Sequence, residues 1–147
     1  MKKKFLRGDM VFDTSVLVEI ALATDSGREI IDEIVEGNIT PYTTTLNVTE
    51  ALYILCRLLG LEEARRRIGL IVNSKCFEIV SSDNVSLEAA ECKCMFPVSI
   101  VDCHTLALSK KYGKPPLFYK VEKEFKRIVG KLESWIRNKI YFIVNSS

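Results

Sequence analysis

The sequence predicts an α/β domain with a mainly parallel central sheet. Short apolar runs suited to buried strands alternate with single helices or helix pairs, a pattern that in compact domains gives parallel strands with helices on the sheet faces. The 147 residues fall near the commonest size of one domain and suffice to bury most apolar side chains in one core. Hydrophobic residues make up 48% and charged residues 27%, with 7 Gly and 4 Pro, the balance of a chain that folds on its own. No internal repeat, low-complexity tract or linker interrupts it, and a single domain over 1–147 is expected.

Met10 to Asp13 reads as a short buried strand and Ser15 to Ala23 as a helix apolar on most faces, so a strand-to-helix turn falls at Asp13 and Thr14. Ser26-Gly27-Arg28-Glu29 fits a capping box and Gly37 supplies a stop, framing a helix from Gly27 to Glu36. Ile39 to Tyr42 is the next strand. Leu46, Ala51, Leu52, Leu55, Leu58 and Leu59 recur at helical spacing between about Thr44 and Leu59, and Gly60 ends the run where a left-handed residue is wanted. Leu61 to Val72 follows at once, making an αα-hairpin with Arg65, Arg66 and Arg67 on its second arm. Cys76 to Val80 reads as a strand, Val85 to Cys94 and Ile100 to Tyr112 as helices punctuated by Pro97 and Gly113, and Leu117 to Tyr119 as a strand. A helix near Val121 to Ile128, another over Lys131 to Arg137 and a strand over Ile140 to Val144 complete the series.

A net charge of +2 and a pI near 8.2 are far from the balance of proteins that hold nucleic acid mainly by counterion release, so any contact with RNA is local. Met1 to Arg7 is basic but no long apolar run follows it, and no stretch of about 18 apolar residues suggests a membrane span. A cytoplasmic location is expected. The odd number of cysteines, Cys56, Cys76, Cys92, Cys94 and Cys103, suits reduced and mostly buried thiols better than a disulfide framework. Helical placement spreads Cys92, Cys94, Cys103 and His104 over different faces, which argues against zinc.

Four acids occupy positions with chemical meaning. Asp13 sits where a buried strand meets a helix N-terminus, a place equally suited to a ligand and to an N-cap. Glu50 lies in the Thr44–Leu59 helix. Asn47-Val-Thr-Glu50 matches a capping box, but helix entry at Thr44 or Thr45 leaves Glu50 in the second turn and free to bind. Asp102 falls at an apolar helix start, where a charge is costly unless something pairs with it; a cation or a Ser99–Asp102 capping box would serve. Glu122 follows the Leu117–Tyr119 strand among lysines, where an exposed first-turn acid is the ordinary explanation. In sheets of this kind ligands bind beyond the carboxyl ends of the strands, and an all-carboxylate group without a His or Cys cluster suits hard cations such as Mg²⁺ or Mn²⁺.

These residues carry a family resemblance: Val-Phe-Asp13-Thr-Ser-Val-Leu-Val, then Thr-Glu50-Ala-Leu, then Ser99-Ile-Val-Asp102-Cys-His-Thr-Leu-Ala-Leu, then Glu122-Lys-Glu-Phe125. Over roughly Met10 to Ile128 the chain resembles the PIN-domain proteins, and among them the VapC-type toxin ribonucleases. The resemblance implies a three-layer α/β/α fold with a helical hairpin. It further implies a metal-dependent endoribonuclease in which Asp13, Glu50, Asp102 and Glu122 are catalytic and hold Mg²⁺ or Mn²⁺, with Thr14 and Ser99 as hydroxyl support. Single-stranded or looped RNA is the substrate class, a homodimer and an antitoxin are the implied partners, and the Thr44–Leu59 helix with its hairpin partner is the candidate surface for self-association or antitoxin docking. Arg65, Arg66, Arg67, Lys110, Lys111, Lys114 and Lys120 are candidates for contacting RNA phosphates, although charge runs are more often solvated helix faces. Two departures stand out: Lys120 occupies a position where the family has Thr or Ser, and Glu122 stands where Asp is usual. They sustain a second reading, a PIN-like RNA-binding or assembly module with weak or no catalysis.

Overall fold

The central sheet of the computed structural model, which describes residues 6–144, has five strands. They are β1 (Gly8–Phe12), β2 (Ile39–Thr44), β3 (Glu78–Val80), β4 (Pro116–Lys120) and β5 (Tyr141–Val144), all parallel in the spatial order β3-β2-β1-β4-β5. The helices are α1 (Thr14–Ala21), α2 (Asp25–Val35), α3 (Thr45–Leu59), α4 (Leu61–Asn73), α5 (Ser86–Met95), α6 (Ile100–Tyr112), the single turn α7 (Lys123–Lys126) and α8 (Val129–Ile136). The basic segment from Met1 is described only at Leu6 and Arg7.

Alternation along β1 sorts the core into two layers. Met10 and Phe12 join Val16, Ile30, Ala51, Leu55 and Ile68 under α1 to α4, whereas Val11 points the other way, toward Cys103, Leu106 and Leu132 under α5, α6 and α8. The expected three-layer α/β/α arrangement results. α6 is buried from Cys103 through Ser109, which explains why it is apolar with little amphipathic pattern: it lies against the sheet and is covered by α5 and α8.

Several boundaries differ from the sequence expectation. α2 begins at Asp25 and not Gly27, because Thr24 takes an extended conformation and its hydroxyl accepts the Gly27 N–H at 3.1 Å, so the cap lies two residues before Ser26. β2 runs on to Thr44, and β3 starts at Glu78 rather than Cys76. The expected helix over Val121 to Ile128 shrinks to α7, and the next starts at Val129 and not Lys131. Gly60 has φ 87° and ψ 158°, a positive-φ extended conformation rather than the left-handed helical one expected; its N–H closes α3 on Cys56 and its carbonyl opens α4 at Ala64. Of the cysteines, only Cys92 and Cys103 are buried while Cys76 and Cys94 are exposed, so the thiols are less sheltered than expected. Among the described residues no helix is long and apolar enough to cross a membrane.

α1 and α2 meet at Gly27, where an added Cβ would lie 2.1 Å from the Glu19 carbonyl oxygen. Gly27→Ala should therefore lower the urea unfolding free energy by about 3 kcal/mol, the upper range for overpacking against a backbone that cannot yield. Gly69→Ala on α4, where a Cβ meets only the Asn73 side chain at 3.9 Å, should instead raise it by about 0.5–1 kcal/mol.

Candidate functional site

The strand order reverses between β1 and β4, since β2 and β3 continue outward on one side and β5 on the other. That switch point opens a crevice at the carboxyl ends of the two central strands. Asp13 ends β1 there, Glu122 follows β4, and the first turn of α6 brings Asp102 to the same edge. α3, which leaves the carboxyl end of β2, supplies Glu50 from its second turn. The clustering is expressed in Asp102, whose carboxyl is pushed up to about 7, first by burial and then by the charges of Asp13, Glu50 and Glu122; a contact with the Ser99 hydroxyl opposes the rise. The charges of the other three sequence-predicted acids thus reach Asp102.

Asp13 is 5% exposed and is the N-cap of α1. Its Oδ2 accepts the Ser15 N–H at 3.0 Å, the bond of an N-cap, and the Ser15 hydroxyl at 2.8 Å. Its Oδ1 accepts the Thr105 hydroxyl of α6 at 2.9 Å. Burial raises its proton affinity and these hydrogen bonds pull against that rise. The main chain is anchored too: Asp13 N donates to Leu117 O at 3.0 Å and Tyr119 N to Ser15 Oγ at 3.0 Å, locking the β1–α1 turn to β4.

Helix entry at Thr44 is confirmed, since its hydroxyl accepts the Asn47 N–H at 3.1 Å. Glu50 is consequently not engaged in a capping box with Asn47, and is half-buried. At α6 the Ser99 hydroxyl accepts the Asp102 N–H at 3.0 Å, so Ser99 is the cap while Asp102 still faces the other acids. Thr14 is buried, and its hydroxyl lies 2.9 Å from Asn47 Nδ2 instead of facing the crevice. Glu122 is exposed at the N-cap position of α7 without a side-chain cap bond.

The basic candidates divide. Arg66 and Arg67 pair with Glu63, and Arg67 also donates to Ala21 O at 2.9 Å, at the end of α1 remote from Asp13. Lys110 donates to Trp135 O at 2.8 Å, Lys111 to Asn84 O at 2.5 Å, and Lys114 pairs with Asp9 at 2.7 Å at the opposite end of β1. Arg65 is exposed beside shallow hollows on α4, and Lys120 is exposed at the carboxyl end of β4, the same edge as the acids. His104 is turned away, its Nδ1 lying 2.8 Å from Ile100 O. Asn47, Thr105 and Ser15 escaped sequence reasoning. The available signal was a polar residue on the inward face of an apolar helix, as Asn47 is between Leu46 and Val48 and Thr105 is beside Leu106.

The donor set is all oxygen, and the charges of Asp13, Glu50 and Glu122 raise the proton affinity of Asp102, the condition a hard divalent cation relieves. Among the described residues no three His, Cys, Asp or Glu side chains stand close enough to hold an ion, and Glu50 is half-buried and Glu122 exposed.

Residues 10–131 match the family model described as PIN domain. The chain belongs to the PIN-domain family. PIN domains are in general nucleases. The fold is similar to that of solved PIN-type structures at low identity. A Rickettsia felis VapBC2 bound to a promoter DNA fragment superposes with a TM-score of 0.66 at 16% identity, covering 95% of this chain and 99% of that one. A Mycobacterium tuberculosis VapC20, described as a sarcin–ricin loop cleaving toxin, gives 0.62 at 18%, covering 80% and 93%. A toxin–antitoxin complex from Klebsiella pneumoniae gives 0.59 at 12%, covering 82% and 93%. No curated protein sequence matches the chain.

The acid cluster makes the stability of this PIN domain pH-dependent. Asp102 titrates at about 7 when folded and near 4 when unfolded, so the folded chain holds the proton more tightly. The associated stability is complete below pH ~4 and is lost as pH rises to about 7, with a slope of up to about 1.4 kcal/mol per pH unit. In EDTA, Asp102→Asn should be more stable to urea than the parent at pH 8, and the difference should shrink at pH 5. Identical pH profiles would contradict the cluster.

Proposed function

We propose that this PIN domain is a metal-dependent endoribonuclease that hydrolyses phosphodiester bonds of single-stranded or looped RNA, and that it serves as the toxin of a toxin–antitoxin pair. The observation that carries the reading is the convergence of four carboxylates from four separate segments at the strand-order switch. A purely structural acid needs one cap or one partner, whereas Asp102, its proton affinity raised by burial and by three like charges, costs stability that ligand binding can offset.

Asp13, Glu50 and Asp102 would hold Mg²⁺ or Mn²⁺, with Glu122 as a second-site or water-mediated ligand. A bound divalent cation supplies charge cancellation at the phosphate and activation of water for attack, with no covalent intermediate. Asp13, fixed by Ser15 and Thr105, is the pre-oriented member of the set, while Glu50 and Glu122 adjust to substrate. Ser99 holds the start of α6 and so the position of Asp102. Lys120 stands at the site's edge to contact a phosphate, and the other named cations, being tied internally or remote, contribute less. An unstacked strand can lower its backbone into a crevice of this kind, which a rigid duplex cannot do easily.

The α3–α4 hairpin exposes Tyr53, Leu58, Leu61 and Leu70, at 55% to 63%, which supports a protein partner on that face. An antitoxin or a second copy would serve. The reading as an RNA-binding module without catalysis draws on Lys120 and Glu122, a cation and a longer acid where the family has a hydroxyl and Asp.

Purified protein incubated with labelled single-stranded RNA should cleave it with Mn²⁺ and not with EDTA, and Asp13→Asn and Asp102→Asn should each lower kcat/KM by at least about 100-fold. Cleavage that survives EDTA or both substitutions would sink the assignment. RNA retention without cleavage on varied substrates would establish the binding module.

A further inference from the structure

Asn47 and Thr105 are fully buried polar side chains on two helices, α3 and α6, that face the core mainly with apolar residues. Their hydrogen bonds form a chain with a defined direction. Thr44 Oγ1 lies 2.6 Å from Asn47 Oδ1, and Asn47 Nδ2 donates to Thr14 Oγ1 at 2.9 Å and to Thr105 Oγ1 at 3.0 Å. An amide nitrogen only donates, so the Thr105 oxygen is an acceptor toward Asn47. Its single hydroxyl hydrogen is then directed to Asp13 Oδ1, 2.9 Å away.

The bond count at Asp13 gives that hydrogen its consequence. Oδ2 accepts two hydrogen bonds, both from Ser15, while Oδ1 accepts one, from Thr105. A carboxylate oxygen has room for two, so Oδ1 is the oxygen with capacity to spare, and Thr105 sets the direction in which that capacity points. No buried side-chain N or O among the described residues lacks a partner, so the chain has no slack that would let Thr105 turn elsewhere without breaking a bond.

We propose that Asn47 and Thr105 are positioning residues: Asn47 fixes Thr105 as a donor, and Thr105 aims the free face of Asp13 Oδ1 at a divalent cation. The assignment rests on the metal-nuclease reading above. Neither residue touches substrate, and both act through Asp13. Groups that orient a ligating carboxylate are expected to change metal affinity by 10- to 100-fold when removed.

The experiment is Mn²⁺ binding followed by isothermal titration calorimetry, alongside RNA cleavage and the melting midpoint in EDTA, for the parent, Thr105→Val, Thr105→Ser, Asn47→Ala and the double variant Asn47→Ala/Thr105→Val. Thr105→Val should weaken Mn²⁺ binding about tenfold and lower kcat with little change in KM for RNA. Thr105→Ser, which keeps the hydroxyl, should restore most of both. Because Asn47 acts through Thr105, the double variant should bind Mn²⁺ no more weakly than Thr105→Val alone. A folded Thr105→Val with parent affinity overturns the proposal. If that variant does not fold, parent affinity in Asn47→Ala overturns it, and weakened affinity with an unchanged melting midpoint supports it. A parent chain that binds no Mn²⁺ overturns the metal-nuclease reading and this inference together, whereas parent binding that survives both substitutions overturns the inference alone.

Discussion

A carboxylate buried at the junction of β1 and α1 is the constraint around which the rest is arranged. Asp13 is removed from water at a place where an ionised group is costly, and the cost is offset only because Ser15 and Thr105 aim hydrogen bonds at it and the helix begins there. Each supporting group depends in turn on another element. Ser15 is fixed by Tyr119 on β4, Thr105 by Asn47 on α3, and Asn47 by Thr44 at the end of β2. The two central strands and the two helices that flank the crevice are thus tied to one side chain.

The remaining acids illustrate how a fold concentrates charge without unfolding itself. Asp102 and Glu50 are half-buried and Glu122 is exposed, so only Asp13 bears the full desolvation penalty. Separate helix starts supply compensation: the Ser99 hydroxyl caps the helix of Asp102 and the Thr44 hydroxyl that of Glu50. At the amino end of the sheet the pattern is reversed. Lys114 is spent on Asp9 and on the Tyr42 ring 4.7 Å away, so a cation that looked available in the sequence is a structural tie.

Much of this is legible in the sequence. α6 was bounded at Ile100 and Tyr112 because a Ser cap and a Gly stop frame an uninterrupted apolar run, and the entry of α3 at Thr44 followed from the periodicity of its leucines. All four acids could be chosen because strand ends and helix starts are visible as changes of pattern. Asn47 and Thr105 were not, since their role arises from contact between helices 58 residues apart, which no local pattern encodes. The cap of α2 was misplaced for a related reason: Thr24 is selected by the close approach of Gly27 to Glu19, a tertiary fact, over a capping box equally good on local grounds. Likewise Arg66, Arg67, Lys110 and Lys111 resembled a phosphate rim until their internal partners were in view.

An all-parallel sheet contains no hairpin, so each of its strand pairs must wait for a crossover connection. β1 waits for β4, which is separated from it by most of the sequence, and Asp13 cannot be anchored to Leu117 until both exist. During synthesis the cluster therefore has no partial form: a nascent chain carrying Asp13, Glu50 and even Asp102 still lacks the strand that orients the first of them. The acid cluster would assemble late and at once, after the segment through Glu122 has left the ribosome.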